Sequence, residues 1–158
     1  MPSATALAHP NIALIKYWGK RNEGENLPAV GSLSVTLDAL CTRTTVSFDS
    51  ALKRDELVLN GVAAVAEAPR LSRCLDALRA LARCDHYARV ESANDFPTGA
   101  GLASSASGYA ALTVAGAAAL GLDLQDPRLA DVARIGSGSA PRSLHGGFVL
   151  LENTPSGT

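Results

Sequence analysis

Lys16 and Lys20 bracket Tyr17, Trp18 and Gly19 at the end of an apolar run that begins Asn11-Ile12-Ala13-Leu14-Ile15. Two ammonium groups at a strand end make a compact site for a diphosphate. They also fit an ordinary charged strand end, with Trp18 as a core plug. A second group is the stretch from Asp95 through Phe96, Pro97, Thr98, Gly99, Ala100, Gly101, Leu102, Ala103, Ser104, Ser105, Ala106 and Ser107 to Gly108. Its glycines permit unusual backbone angles and close ligand approach. It runs into a helix start, where unpaired N–H groups and the positive dipole end favour phosphate. Ser104, Ser105 and Ser107 add hydroxyl donors. The Gly-Lys-Ser/Thr ending of a Walker A loop is absent. A plain Gly/Ser turn ahead of a core helix is the other reading. The third group, Gly136-Ser137-Gly138-Ser139-Ala140-Pro141-Arg142-Ser143, concentrates amides, hydroxyls and one guanidinium. Arginine can grip a carboxylate or phosphate with two parallel hydrogen bonds. The same octapeptide also fits a polar surface loop.

The elements that must position these groups follow from periodicity. Residues 32–38 alternate, with Leu33, Val35 and Leu37 pointing one way, as in a half-buried strand. Thr42 to Phe48 reads as the next strand, antiparallel to the first. Glu56–Leu59, Asn60-Gly61 and Val62–Val65 form a hairpin with a type I′ turn. Pro69 opens a helix whose Leu71, Cys74, Leu75, Leu78 and Leu81 recur at helical spacing; its arginines spread over other faces and read as a solvated basic surface. His86 to Ser92 is a strand, and Leu102 to Leu120 a long helix of small residues that Gly121 stops. Asp126 as N-cap and Pro127 as first residue start another helix, ending near Ile135. Residues 136–143 are a loop, and 147–152 a last strand. Strands and helices mix without regular βαβ alternation, so the class is α+β.

The chain has 158 residues, is 47% hydrophobic and carries a net charge of −1, enough for one core and too neutral to recruit nucleic acid or a membrane surface. Its three cysteines, Cys41, Cys74 and Cys84, lack a CxxC spacing, which argues against a disulfide framework and a zinc site and for a reducing, cytoplasmic setting. The histidines His9, His86 and His145 lie far apart, so no metal cage is expected from them. No basic segment followed by an apolar one opens the chain. The uncharged stretch Gly99–Leu122 is long enough to span a bilayer. It is built of Ala, Gly, Ser and Thr, however, and reads as a buried soluble helix.

Together the segments Asn11–Lys20, Phe96–Gly108 and Gly136–Ser143 resemble the diphosphomevalonate decarboxylase family of the GHMP kinase superfamily, in its order and approximate spacing. The resemblance covers about His9 to Glu152. It implies a GHMP-kinase-like N-terminal domain over 1–158: an α+β fold with a mixed, mostly antiparallel sheet and helices packed on one face. It also implies an activity. ATP with Mg²⁺ phosphorylates the tertiary hydroxyl of mevalonate 5-diphosphate, and phosphate and CO₂ then leave to give isopentenyl diphosphate.

Carried over residue by residue, Tyr17, Trp18, Gly19 and Lys20 resemble part of the substrate site, with Tyr17 and Lys20 on the diphosphate and Lys16 near the phosphates in transfer. Pro97 and the stretch Ala100, Gly101, Leu102, Ala103, Ser104, Ser105 and Ser107 resemble the ATP cradle, with Ser104 and Ser105 nearest the phosphates. Ser137, Gly138, Ser139, Ala140 and Pro141 resemble the substrate loop, Arg142 its carboxylate clamp, and Arg70 an arginine that reaches the substrate diphosphate. Lys16, Ser105 and Arg142 would be the catalytic set. Three departures stand out: Pro141 where the family commonly has cysteine, Ile135 where it has arginine, and Gly99 for alanine. The proline removes an N–H donor and fixes φ beside Arg142.

The family continues into a second half bearing the aspartate thought to act on the hydroxyl, and Asp38, Asp95 and Asp123 do not match its motif. The chain is therefore expected to be a fragment, inactive alone. Homodimers are common in the resembling family. Rival expectations are a decarboxylase or 3-kinase acting on mevalonate or its 5-phosphate, a non-catalytic phosphate-binding module, and a structural protein whose loops bind nothing.

Overall fold

The computed structural model of the chain describes residues 1–15, 20–22, 27–97 and 104–152, with the backbone alone for 20–22 and 27–28. In chain order the strands and helices are β1 (Ser3–Ala8), β2 (Asn11–Ile15), β3 (Lys20–Asn22), β4 (Leu27–Pro28), β5 (Ser32–Thr36), β6 (Thr42–Asp49), β7 (Glu56–Leu59), β8 (Val62–Ala63), α1 (Ala68–Ala82), β9 (Tyr87–Asn94), α2 (Ser104–Ala119), α3 (Arg128–Gly136) and β10 (Phe148–Leu151). A 3₁₀ turn, Ala140–Leu144, precedes β10.

One sheet has the order β1-β6-β9-β7-β8, antiparallel except for the parallel pair β7 and β9. A second sheet, β10-β5-β2, is antiparallel, and β3 and β4 form a ribbon. The expected pairing of residues 32–38 with 42–48 is therefore wrong. The intervening turn carries the chain from one sheet to the other, and β1, which was not anticipated, takes the place beside β6.

The alternation along β5 is also inverted. Ser32 and Ser34 are buried, and Leu33 and Val35 are only half-buried. The register puts Val35 between Ile12 and Phe148, and Leu33 between Ile15 and Leu150, so the apolar residues share the outer face. On the inner face Ser32 meets a buried guanidinium, described below.

Helix α2 is apolar on all sides, and its small residues let neighbours come close. It packs on β1 and β6, and on α1, α3 and the 3₁₀ turn. A Cβ on Gly116 would lie 2.6 Å from Leu78 Cδ1 of α1, and one on Gly136 at the end of α3 would lie 2.0 Å from the Tyr109 ring. No described helix is long and apolar enough to cross a membrane. Helix α1 buries Leu71, Cys74, Leu75 and Leu78, as their spacing requires. The Asn60-Gly61 turn has φ of 49° and 79°, the positive pair a type I′ turn needs. Helix α3 starts one residue later than expected: Pro127 is the N-cap rather than the first helical residue, and Asp126 stands just before it, its Oδ1 accepting from Arg128 N–H at 2.9 Å.

Candidate functional site

The first turn of α2, the segment after α3 and the start of β2 meet at one end of the fold. Ser105 Oγ on α2 lies 3.4 Å from Ser137 Oγ, which lies 3.3 Å from Ser139 Oγ. The Ser139 carbonyl accepts from Asn11 Nδ2 at 3.1 Å and from Arg142 N–H at 3.2 Å. Asn11 Oδ1 accepts from Arg142 Nε at 3.2 Å, and Arg142 Nη1 donates to Ser32 Oγ at 2.5 Å. Asn11 Nδ2 also donates to Ser143 Oγ at 2.8 Å.

A continuous polar path thus runs from the first turn of α2 to the Arg142 guanidinium. The loop expected over residues 136–143 is only partly a loop: Gly136 ends α3, and a turn begins at Ala140. Ala140–Leu144 winds into a 3₁₀ turn with Pro141 in its first positions, where a missing N–H costs nothing. The turn explains why proline is accommodated beside Arg142.

Arg142 is only 3% exposed. A guanidinium so buried needs acceptors, and Asn11 Oδ1 and Ser32 Oγ are two of them. Sequence reasoning missed Asn11 and Ser32. The available signal was a polar residue heading an apolar strand and two serines on one face of an alternating one.

Beside this path lies a cavity of about 230 Å³ between the starts of α1 and α2. Leu57, Leu71, Val90 and Leu112 form apolar walls, Thr44, Ser92 and Asn94 supply polar groups, and Ser104, Ser105 and Arg70 also line it. Arg70 is exposed and 3.9 Å from Glu67. The structure thus places Arg70 on the cavity that Ser104 and Ser105 share.

Ser104 is half-buried, Ser105 exposed and Ser107 fully buried. Pro97 is exposed at the loop's entrance. Gly138 lies within the serine cluster, and Ala140 is buried beneath it. Lys16, Tyr17, Trp18 and Gly19, and likewise Ala100, Gly101, Leu102 and Ala103, lie outside the described residues, as does the Lys20 side chain. The Lys20 backbone pairs with Pro28 in the ribbon. Among the described residues no three His, Cys, Asp or Glu side chains cluster as a metal site.

A family model described as the diphosphomevalonate decarboxylase-like N-terminal domain matches residues 8–158. The chain belongs to this family. It is 45% identical to a diphosphomevalonate decarboxylase of Candida albicans over an alignment, gaps included, of 165 positions that covers 96% of this chain and 46% of that protein. Among solved structures, mevalonate diphosphate decarboxylase from Staphylococcus aureus superposes with a TM-score of 0.88 at 49% identity, over 96% of this chain and 46% of that one. The structure of MDDEF in complex with MVAPP, AMPPCP and magnesium superposes with a TM-score of 0.85 at 50% identity, over 95% and 46%. The chain therefore spans somewhat under half the length of the relatives it matches. The expected GHMP-kinase-like N-terminal fold is thereby established.

Proposed function

We propose that this domain carries the ATP-binding and substrate-gripping part of a diphosphomevalonate decarboxylase. The protein built on it would convert mevalonate 5-diphosphate to isopentenyl diphosphate. The carrying observation is the contact of Ser105 with Ser137, which joins the first turn of α2 to the segment that leads into the Arg142 turn, beside a cavity. Such a reaction needs a nucleotide phosphate and a substrate bearing two anionic ends held side by side. The described groups fit that need.

The cavity's apolar walls suit a purine, and Ser104 and Ser105 at the N-terminus of α2 suit its phosphates. Ser137 and Ser139 offer hydroxyls between the two ligands, and Arg142 offers a fixed cation for a carboxylate. Lys16, Tyr17, Trp18, Gly19, Lys20 and Arg70 complete the proposed anion-binding set, with Lys16, Ser105 and Arg142 nearest the chemistry.

Mg²⁺ usually binds through phosphate oxygens and water with few protein ligands. The serine hydroxyls fit that role without a carboxylate cluster, and the ion would neutralise charge on the transferring phosphoryl group. The protein's own contribution is orientation and charge stabilisation. Arg142 would hold the carboxylate while the tertiary hydroxyl is phosphorylated. Departure of phosphate builds positive charge at the tertiary carbon, and the C–CO₂ bond electrons then form the double bond.

A homodimer and a cytoplasmic setting belong to the same proposal. Calorimetric titration with AMPPCP·Mg²⁺ and with mevalonate 5-diphosphate tests it. Binding of both, each strengthening the other, supports the reading, and binding of neither overturns it. Mevalonate and its 5-phosphate, run alongside, report which substrate the site prefers.

A further inference from the structure

Thr42 begins β6 and faces Asn94, the last residue of β9, across the end of the larger sheet. Its hydroxyl is fully buried and donates to Asn94 Oδ1 at 2.7 Å. A hydroxyl has one proton to give. At the contact between Thr42 Oγ1 and Ser107 Oγ, also 2.7 Å and buried, the donor must therefore be Ser107. The second acceptor near Ser107, the Ser104 carbonyl, is farther away at 3.3 Å. Ser107 thus spends its proton on Thr42 and, at 0% exposure, has no face toward a ligand.

The far end of this relay is itself tied down. Asn94 N–H donates to Asn60 Oδ1 of the type I′ turn at 2.9 Å. Asp95 and Cys41 exchange two further bonds, Cys41 N–H to Asp95 Oδ1 at 2.7 Å and Asp95 N–H to the Cys41 carbonyl at 3.1 Å. The sheet end is therefore a rigid base, and the Thr42–Ser107 bond is a direct polar link from it, among the described residues, to the first turn of α2. That turn carries Ser104 and Ser105, which line the cavity.

We propose that Thr42 is a positioning residue for the nucleotide phosphates. Through Ser107 it sets the height and tilt of the first turn of α2, and Ser107 is a strut rather than a phosphate ligand. This rests on the ATP reading above. The functional consequence follows from geometry: amide and hydroxyl donors serve a phosphate only when held within a few tenths of an ångström of their places, so a loosened first turn weakens phosphate binding without removing any donor.

The test uses Thr42→Val, Thr42→Ser and, as a control, Thr113→Val. Thr113, on α2 with Ser107, is equally buried, and its hydroxyl donates within its own helix to the Tyr109 carbonyl at 2.8 Å. Affinity for AMPPCP·Mg²⁺ is read by calorimetry, and amide hydrogen exchange is read over residues 104–107. Thr42→Val is expected to weaken affinity about tenfold and to speed exchange in that turn; Thr42→Ser restores both, and Thr113→Val moves neither. In the double variant with Ser107→Ala, the two losses fail to add, because both residues act through one bond. Additive losses, or equal losses from Thr42→Val and Thr113→Val, overturn the proposal. If the unsubstituted chain binds no AMPPCP·Mg²⁺, the nucleotide reading itself fails and this one with it. Normal binding with an unaltered Thr42→Val sinks only the strut.

Discussion

Arg142 Nε donates to Asn11 Oδ1 at 3.2 Å, so the last polar loop of the chain is locked to the first strand of the smaller sheet. Asn11 returns the contact by donating to the Ser139 carbonyl and Ser143 Oγ on either side of Arg142. The guanidinium therefore cannot turn without breaking bonds at both ends. Its orientation is set before any ligand arrives, which lowers the ordering cost of gripping an anion.

The first prediction concerns that guanidinium. Arg142→Lys keeps the charge and loses the planar fork. Affinity for mevalonate 5-diphosphate should fall by about thirtyfold, equivalent to about 2 kcal/mol, the worth of a charge-assisted bidentate contact. Affinity for isopentenyl diphosphate, which has no carboxylate, should be unchanged. Calorimetry on the two ligands checks this. Equal losses on both would place Arg142 at the diphosphate instead.

The second prediction separates two glycines that sequence alone treats alike. A Cβ on Gly136 would meet three atoms of the Tyr109 ring at 2.0–2.5 Å, and the ring is packed in the core. A Cβ on Gly116 would meet the flexible end of Leu78 at 2.6 Å. Gly136→Ala should therefore cost about 2–3 kcal/mol and Gly116→Ala about 1 kcal/mol or less, read as shifts in urea midpoint at constant m. If Gly116→Ala proves the more damaging of the two, the α3–Tyr109 contact is not as tight as described.

Short-range signals survived the passage from sequence to structure best. The Asn60-Gly61 turn, the apolar stripe of α1 and the Gly121 stop depend on residues a few positions apart, and each is present; Gly121 has φ 69°. Sheet membership depends on partners far along the chain, and there the reading failed. β5 pairs with residues 148–151, not with its neighbour, and β1 was not anticipated. The inversion of β5 has the same origin. Ser32 and Ser34 alternate with Leu33 and Val35 equally well in either orientation, and the partner that meets Ser32 on the buried face, Arg142, lies 110 residues further along. The serine loops and Arg142 were legible as donors, but the partners that aim Arg142 were not: the polar residue heading β2 and the serines of β5 mark polar positions without saying which distant side chain they meet.

The third prediction concerns a buried ion pair away from the site. Arg79 on α1 donates through Nη1 and Nη2 to the two carboxylate oxygens of Asp55 at 2.9 and 3.0 Å, and Asp55 Oδ1 also accepts from Ala88 N–H at 2.9 Å. The arginine also lies over the Tyr87 ring, 5.4 Å from its centroid. This cluster ties α1 to β9 and to the segment before β7. Asp55→Ala leaves a buried guanidinium and a backbone N–H short of an acceptor, and should cost about 3 kcal/mol. The thermal midpoint should fall by about 6–12 °C. Ligand binding at 25 °C should be unaltered, since the cluster touches neither the cavity nor the serine path. A large affinity change would mean that α1 moves with the site.

The last prediction is a pH dependence set by Cys74. The thiol is fully buried on α1, and burial pushes its pKa up to about 12, against a weaker opposing pull from Arg73 and Arg70. In the unfolded chain the same thiol ionises near its ordinary value of 9.0. Below that value both states hold the proton and nothing is lost. As pH climbs from about 9 toward about 12, the unfolded state releases its proton and the folded state does not, so stability drains away across that window. Burial raises the Tyr109 hydroxyl in the same direction, which extends the loss further into alkali. Urea midpoints at about pH 8 and about pH 10.5 should therefore differ more in the unsubstituted chain than in Cys74→Ala, whose lower stability at pH 8 reflects only the lost packing. Thiol reagents at pH 8 should modify the half-buried Cys41 and Cys84 and reach Cys74 only after unfolding. Rapid modification of Cys74 in the folded chain would show that α1 opens locally, and the steep alkaline slope would then have to come from Tyr109 alone.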